Sequence, residues 1–283
     1  MSINHLRAAL LPLLLASVLS VYAGDSIPCG YNFLRMGIGF TKNSVLDQVN
    51  TCLPYTGPGI GISLGYERCR KNCIEVGNDF AFGTLSPYNL PEYDNQVSFY
   101  YDNFYAKYLW RLPIHKFFGL NLFAGPEIRI QFGMRINGAA LANSVLAYDF
   151  ATSTGVALML TRDFSLHCLF KKAGDRKCIS VSAKLSHPLL AMVHTPPYIG
   201  MPENLLQQNA SLFDLSNHYE SVINRFINPD FCLSLSYNMK NGNALALHYR
   251  YSYFATYPEY NPTKAAYNYF GFSLLFNLKK PCS

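Results

Sequence analysis

Serine, histidine, cysteine and carboxylate side chains are the groups here that could carry chemistry, and few of them are spaced for it. Ser186-His187 and Ser216-Asn217-His218 could supply a serine nucleophile with a base, and Glu220 stands close enough to His218 to orient it. A working nucleophile needs its base within hydrogen-bond reach and a third group holding that base in place. Neither pairing has a third residue at a defined distance. Ser216, His218 and Glu220 also fall in the longest stretch without strand periodicity, where a rigid site is hard to build. His-Glu-x-x-His, a phosphate-binding glycine loop and a dinucleotide fingerprint are all absent. Gly57, Gly59, Gly61 and Gly65 mimic a fingerprint only superficially, because their spacing follows a period of two. No catalytic set, cofactor or metal site is assigned.

The charged residues make sense only once the elements that position them are considered. Strict alternation of apolar with small or polar residues runs through 34–41, 59–67, 74–82, 118–133, 148–160, 179–186, 231–238, 244–253 and 270–278, with a more irregular aromatic segment at 97–112. In 59–67, Ile60, Ile62, Leu64 and Tyr66 share one face, while Gly59, Gly61, Ser63, Gly65 and Glu67 share the other. These ten segments are read as strands. A soluble sandwich would alternate in the same way. Three features favour a membrane-spanning barrel instead: a polar face rich in Gly and Ser, strands near the roughly 9 to 11 residues that cross an outer membrane, and connections that alternate between short and long. Short connections are expected near 69–73, 113–116, 171–177 and 240–243, the last an Asn241-Gly242 turn, and long ones near 42–57, 84–95, 133–147, 193–229 and 257–266. The expected fold is a closed antiparallel transmembrane β-barrel of about ten strands.

Composition agrees with this reading. Half the residues are hydrophobic and 14% are charged, which excludes a disordered chain. Beyond the first twenty-odd residues there is no apolar run of the roughly 18 to 20 residues a membrane helix needs. Residues 1–23 read as a secretory signal peptide, with Arg7, an apolar stretch over 8–19, and small residues at Val21-Tyr22-Ala23 before the expected cut. The net charge of +6 comes without a basic block, so no nucleic-acid partner is indicated.

Eight cysteines in an exported chain point to an oxidising compartment. Cys69 with Cys73, and Cys168 with Cys178, flank short connections; Cys29 and Cys282 lie at chain ends that barrel closure would bring together. Cys52 and Cys232 remain, both expected near the outer side, and would pair only if two long loops meet. A zinc site at Cys69-x-x-x-Cys73 lacks a second ligand pair.

Taken together, the polar faces would send Arg35, Glu67, Glu75, Asp79, Asp102, Lys107, Arg111, Glu127, Arg129, Asp149, Lys184, His248 and Arg250 into the lumen. A barrel of eight to ten strands is narrow enough for its own side chains to fill it. Opposite charges there must pair, since an unpaired buried charge is costly, so a plugged interior is expected. Barrel proteases of the omptin type use an Asp-x-His element on facing strands, and this chain has none.

The stretches 103–110 (NFYAKYLW), 122–126 (LFAGP), and 188–192 (PLLAM) running on to Pro197-Tyr198-Ile199-Gly200 resemble small uncharacterised outer-membrane barrels of Bacteroidota-type bacteria. The resemblance covers most of the chain and implies the fold and location, with no assigned activity. Two departures stand out: the extra cysteines, and the tail Lys279-Lys280-Pro281-Cys282-Ser283, where such barrels usually end on an aromatic residue; Phe276 could serve as a displaced version.

The segment 193–229 is expected to be an extracellular loop long enough to have a purpose. Leu212, Phe213, Leu215, Val222 and Phe226, with Ile223 and Ile227, suggest a short amphipathic helix that either docks a partner or lids the barrel. The expected function is that of a structural or accessory subunit of an outer-membrane complex serving export, insertion of outer-membrane proteins or lipoproteins, or nutrient uptake. Its partners would be outer-membrane lipid and other envelope proteins. The location would be a Gram-negative outer membrane, with the termini in the periplasm. A hydrolase of lipid A or peptides at the rim ranks second, and a narrow small-solute channel third.

Overall fold

The computed structural model describes residues 30–47, 53–88, 96–112, 120–137, 146–165, 178–194, 220–222, 226–239, 241–256 and 263–278. A strand forms along each alternating segment, and most extend beyond it: β1 Tyr31–Asp47, β2 Tyr55–Cys69, β3 Asn72–Pro87, β4 Val97–Arg111, β5 Asn121–Asn137, β6 Leu146–Ser165, β7 Cys178–His194, two short pieces β8 Glu220–Val222 and β9 Phe226–Ile227, then β10 Asp230–Asn238, β11 Ala244–Thr256 and β12 Thr263–Asn277. Each long strand pairs antiparallel with its sequence neighbour, β12 returns to β1, and β10 lies against both β7 and β11. The ten long strands therefore close into an antiparallel barrel.

Closure puts the two faces of the alternation in opposite environments. On β1, Ile38 and Phe40 are 62% and 77% exposed on the outside, whereas Arg35, Thr41 and Asn43 on the intervening face are buried. The same exposed apolar wall continues through Ile60, Ile62 and Leu64 of β2, Ile128, Ile130 and Phe132 of β5, Val156, Leu158 and Leu160 of β6, and Phe270, Phe272 and Leu274 of β12. In water this wall would be a very large apolar patch. A hydrocarbon environment covers it and also requires the closed ring, since lipid offers no hydrogen bond to a free sheet edge.

The core lies inside the barrel, in layers. Toward the end away from the termini, Val45, Leu85, Val97, Phe99, Tyr101, Val193, Phe226 and Phe254 form an apolar plug. Toward the terminal end, Cys69, Cys73, Leu109, Phe123 and Met159 form a second, with Tyr31 packed against it. The charged groups lie largely between and around these plugs.

Several sequence expectations change. The connections do not alternate as expected: β1, β3 and β5 run on past the point where alternation fades, to Asp47, Pro87 and Asn137, and the expected short connection between β6 and β7 spans 166–177, longer than that between β1 and β2 at 48–54. The helix expected over 212–227 is replaced, within the described residues, by β8 and β9. β9 keeps the register of β10 against β11, and the Tyr253 N–H reaches the Pro229 carbonyl at 3.1 Å, so the pairing with β11 extends N-terminally beyond the expected strand at 231–238. Phe226 points into the apolar plug and stacks edge-on with Phe254 at 5.4 Å, so it is unavailable to a partner. Residues 195–219, with Leu212, Phe213 and Leu215, and 223–225 lie outside the described residues, as do residues 1–29 with the expected signal peptide.

Of the expected disulfides, Cys69–Cys73 is formed, closing the two-residue connection between β2 and β3 with Cα atoms 4.1 Å apart. Cys232 is free and sits on the lumen face of β10, cross-strand from Lys184 and Arg250, rather than at the outer side as expected for a bond to Cys52. Cys29, Cys52, Cys168 and Cys282 fall outside the described residues, while Cys178 opens β7 opposite Ser165. The expected Asn-Gly turn is present, with Gly242 at φ +83°.

Replacing Ile38 by Arg should destabilise the folded barrel by about 2 to 4 kcal/mol, the cost of a cation at mid-depth on a lipid-facing wall. Reversible denaturant unfolding in lipid vesicles measures this; a change within error of zero would mean that lipid does not cover Ile38.

Candidate functional site: the barrel interior

The inward face of each strand delivers its polar residues into one shared space, and they pair across it. Nearest the terminal end, Lys184 Nζ donates to Glu67 Oε2 at 3.2 Å and Glu75 Oε2 at 2.9 Å. Glu67 also accepts the Tyr31 hydroxyl at 2.5 Å. Arg35 lies 3.4 Å from Glu75 and donates to the Tyr105 hydroxyl, which itself donates to Glu75 at 3.3 Å.

Around the middle, Arg129 reaches Glu127 through Nε and Nη2 at 3.0 and 2.6 Å, with Lys107 3.9 Å from the same carboxylate. Arg250 grips Asp230 with two parallel bonds of 2.6 and 2.8 Å and also pairs with Asp79. Such a two-bond fork is the strongest geometry available to this pair. Toward the far end, Arg135 bridges Asp149 at 2.5 Å and Asp47 at 2.9 Å.

Every carboxylate and every cation of these three clusters thus has an opposite charge within 4 Å. Buried ion pairs of this kind add little net stability over apolar packing, but removing one partner leaves a stranded charge. The glycines on the inner face, which could have meant an open channel, serve another purpose. A Cβ on Gly61 would come within 2.7 Å of the Tyr269 ring, and one on Gly77 within 2.7 Å of the Tyr105 ring. The missing side chains make room for aromatic rings that fill the lumen. Among the described residues a cavity of about 60 Å³ is left, lined by Arg35, Asn43, Cys232, His248, Arg250 and Tyr269 among others, with room for a few waters. His248 Nε2, Arg35 Nε, Asn43 Oδ1 and Tyr269 OH have no protein partner there.

Of the thirteen residues expected in the lumen, Asp102 is misplaced. On β4 the odd positions Tyr101, Asn103, Tyr105 and Lys107 are the buried ones; Asp102 lies on the outer face, cross-strand from the exposed Phe80 and Phe132. On this strand Phe99, Tyr101 and Tyr105 face the lumen while Phe104, Tyr108 and Trp110 face outward, so neither charge nor aromatic character marks the direction. Arg111 faces inward only at the rim, where it donates to Asn121 at 2.6 Å. Sequence reading missed Asp47, Arg135 and Asp230. Continuing the odd-residue alternation of β1 and β5 finds the first two, and Asp230 lies between the expected loop 193–229 and the expected strand 231–238.

The hydrolase pairing fails on geometry. Ser186 is buried in the lumen and accepts from Arg129 Nη2 at 2.7 Å, whereas His187 is exposed on the outer wall, as neighbours on a strand must be. Ser216 and His218 lie outside the described residues.

No family model and no curated protein matches this chain. Solved structures similar to it include an outer-membrane channel from Pseudomonas putida F1 (8% identity, TM-score 0.36, covering 90% of this chain and all of that one), the β-domain of the Bordetella autotransporter BrkA (10%, 0.37, 84% and 99%) and the translocator domain of the autotransporter NalP from Neisseria meningitidis (8%, 0.27, 95% and 96%). The fold defined by the closed wall and its apolar exterior is that of an outer-membrane-type β-barrel.

Replacing Arg135 by Met should cost roughly 3 to 5 kcal/mol, because it removes the buried cation that Asp47 and Asp149 share. The triple change D47L/R135M/D149L should recover most of that loss. Denaturant unfolding of the two variants decides it: a triple variant as unstable as the single one would mean that the ion pairs themselves hold the fold.

Proposed function

We propose that this chain resides in the outer membrane of a Gram-negative bacterium, with its termini in the periplasm, as a structural or accessory subunit of a larger envelope assembly. Export, insertion of outer-membrane proteins or lipoproteins, and nutrient uptake are the assembly types that suit it, and the Bacteroidota-type barrels it resembles are its proposed kin. One observation carries this reading: the lumen is occupied by mutually compensated ion pairs between two apolar plugs, so the surfaces left to act are the outer wall and the connections. The segment 195–219, with Leu212, Phe213 and Leu215, supplies apolar side chains for a protein partner. A narrow channel is the second reading, favoured by the polar cavity beside Arg35, His248 and Tyr269.

Gentle detergent extraction after in-cell crosslinking, followed by mass spectrometry, should recover reproducible envelope partners, and deletion of 205–215 should release them. Recovery of the chain alone in every preparation would contradict the subunit reading. In planar bilayers the purified barrel should give no conductance steps; steady single-channel currents would favour the channel.

A further inference from the structure

One seam of the ring is built unlike the other nine. β7 pairs with β10 from Ile179–Tyr237 to Ser186–Asp230, and its pairing resumes with β8 at Ala191–Val222. Between those points His187, Pro188, Leu189 and Leu190 have no ladder partner on that side among the described residues, even though β9 stays in register with β11. The cause is local. Pro188 has no N–H to give to a ladder. β7 also slips register against β6 at Thr154–Gly155, where Gly155 pairs with Pro188 and Thr154 with Leu190, leaving Leu189 as a bulge. Leu189, Leu190 and Ile227 stand exposed on the outer face of this stretch. In a lipid-facing wall, an interrupted ladder is the weakest place.

The lumen side compensates through one side chain. Arg129, rooted on β5 and held by Glu127, donates to Ser186 on β7 at 2.7 Å. It also reaches across to the Asn228 side-chain oxygen at 3.1 Å and backbone carbonyl at 3.4 Å, and lies 3.5 Å from Asp230. Asn228, fully buried, donates in turn to Gln131, also on β5. Arg129 thus contacts both sides of the gap.

We infer that the barrel wall is built to part between β7 and the β9–β10 strand, with Arg129 as the latch that holds it shut from inside. This holds whichever assembly the barrel serves. Native-state hydrogen exchange on the full folded chain in detergent micelles tests it. Backbone amides of 186–191 and 230–233 should exchange at least tenfold faster than those at the centres of the β1–β2 and β1–β12 ladders. R129K, which keeps the charge but loses the fork, should raise exchange at that seam a further severalfold and leave the other ladders unchanged. Uniform protection around the wild-type ring would overturn the inference without any variant being needed. So would an R129K effect spread evenly over all ladders.

Discussion

Lipid can neither accept nor donate a hydrogen bond, and that single constraint shapes the rest of this molecule. Ten strands with a greasy outer face must meet end to end, so β12 folds back on β1 and β10 is held against β7. Closure then sets an interior volume that the sequence has to fill. It also converts each strand's period of two into a division between membrane and lumen, which is why a one-residue slip anywhere would be severe.

The interior behaves as a core turned inside out. With ten strands the lumen is too narrow to stay a wide aqueous pore, and side chains occupy it. Apolar layers lie toward both ends, and between and around them the charges compensate one another in clusters that cross the barrel: Lys184 on β7 serves Glu67 and Glu75 on β2 and β3, and Arg250 on β11 serves Asp79 on β3. Such cross-lumen pairs tie distant strands together in a way that neighbour-to-neighbour ladders cannot. The few groups left over line a small cavity with His248 and Cys232.

The alternation made the strands, their number and the direction of nearly all their side chains legible, because a period of two is forced by backbone geometry. Direction was misread where chemistry and periodicity disagreed. Asp102 was assigned by its charge, though its register on β4 puts it on the apolar wall. Asp230 falls between the expected loop 193–229 and the expected strand 231–238, whereas the strand continues through Pro229, whose carbonyl accepts from the Tyr253 N–H. Phe226 was taken for part of a helix because two strand fragments separated by a break can mimic helical spacing. Cys232 illustrates a different limit: sequence position cannot say at what depth of a tilted barrel a residue lies. The charge compensation itself was foreseeable in kind, while its partners were not, since they depend on which strands face each other across the lumen.

The division of each strand between lipid and lumen can be measured directly. Nitroxide labels placed singly at consecutive positions 36 to 41 of β1, in protein reconstituted into lipid vesicles, report local accessibility to oxygen and to a water-soluble nickel chelate. Labels at the even positions should be relaxed strongly by oxygen and scarcely by nickel, with the odd positions shielded from both. Accessibility to nickel at the even positions, or no alternation at all, would show that something other than hydrocarbon covers the outer face.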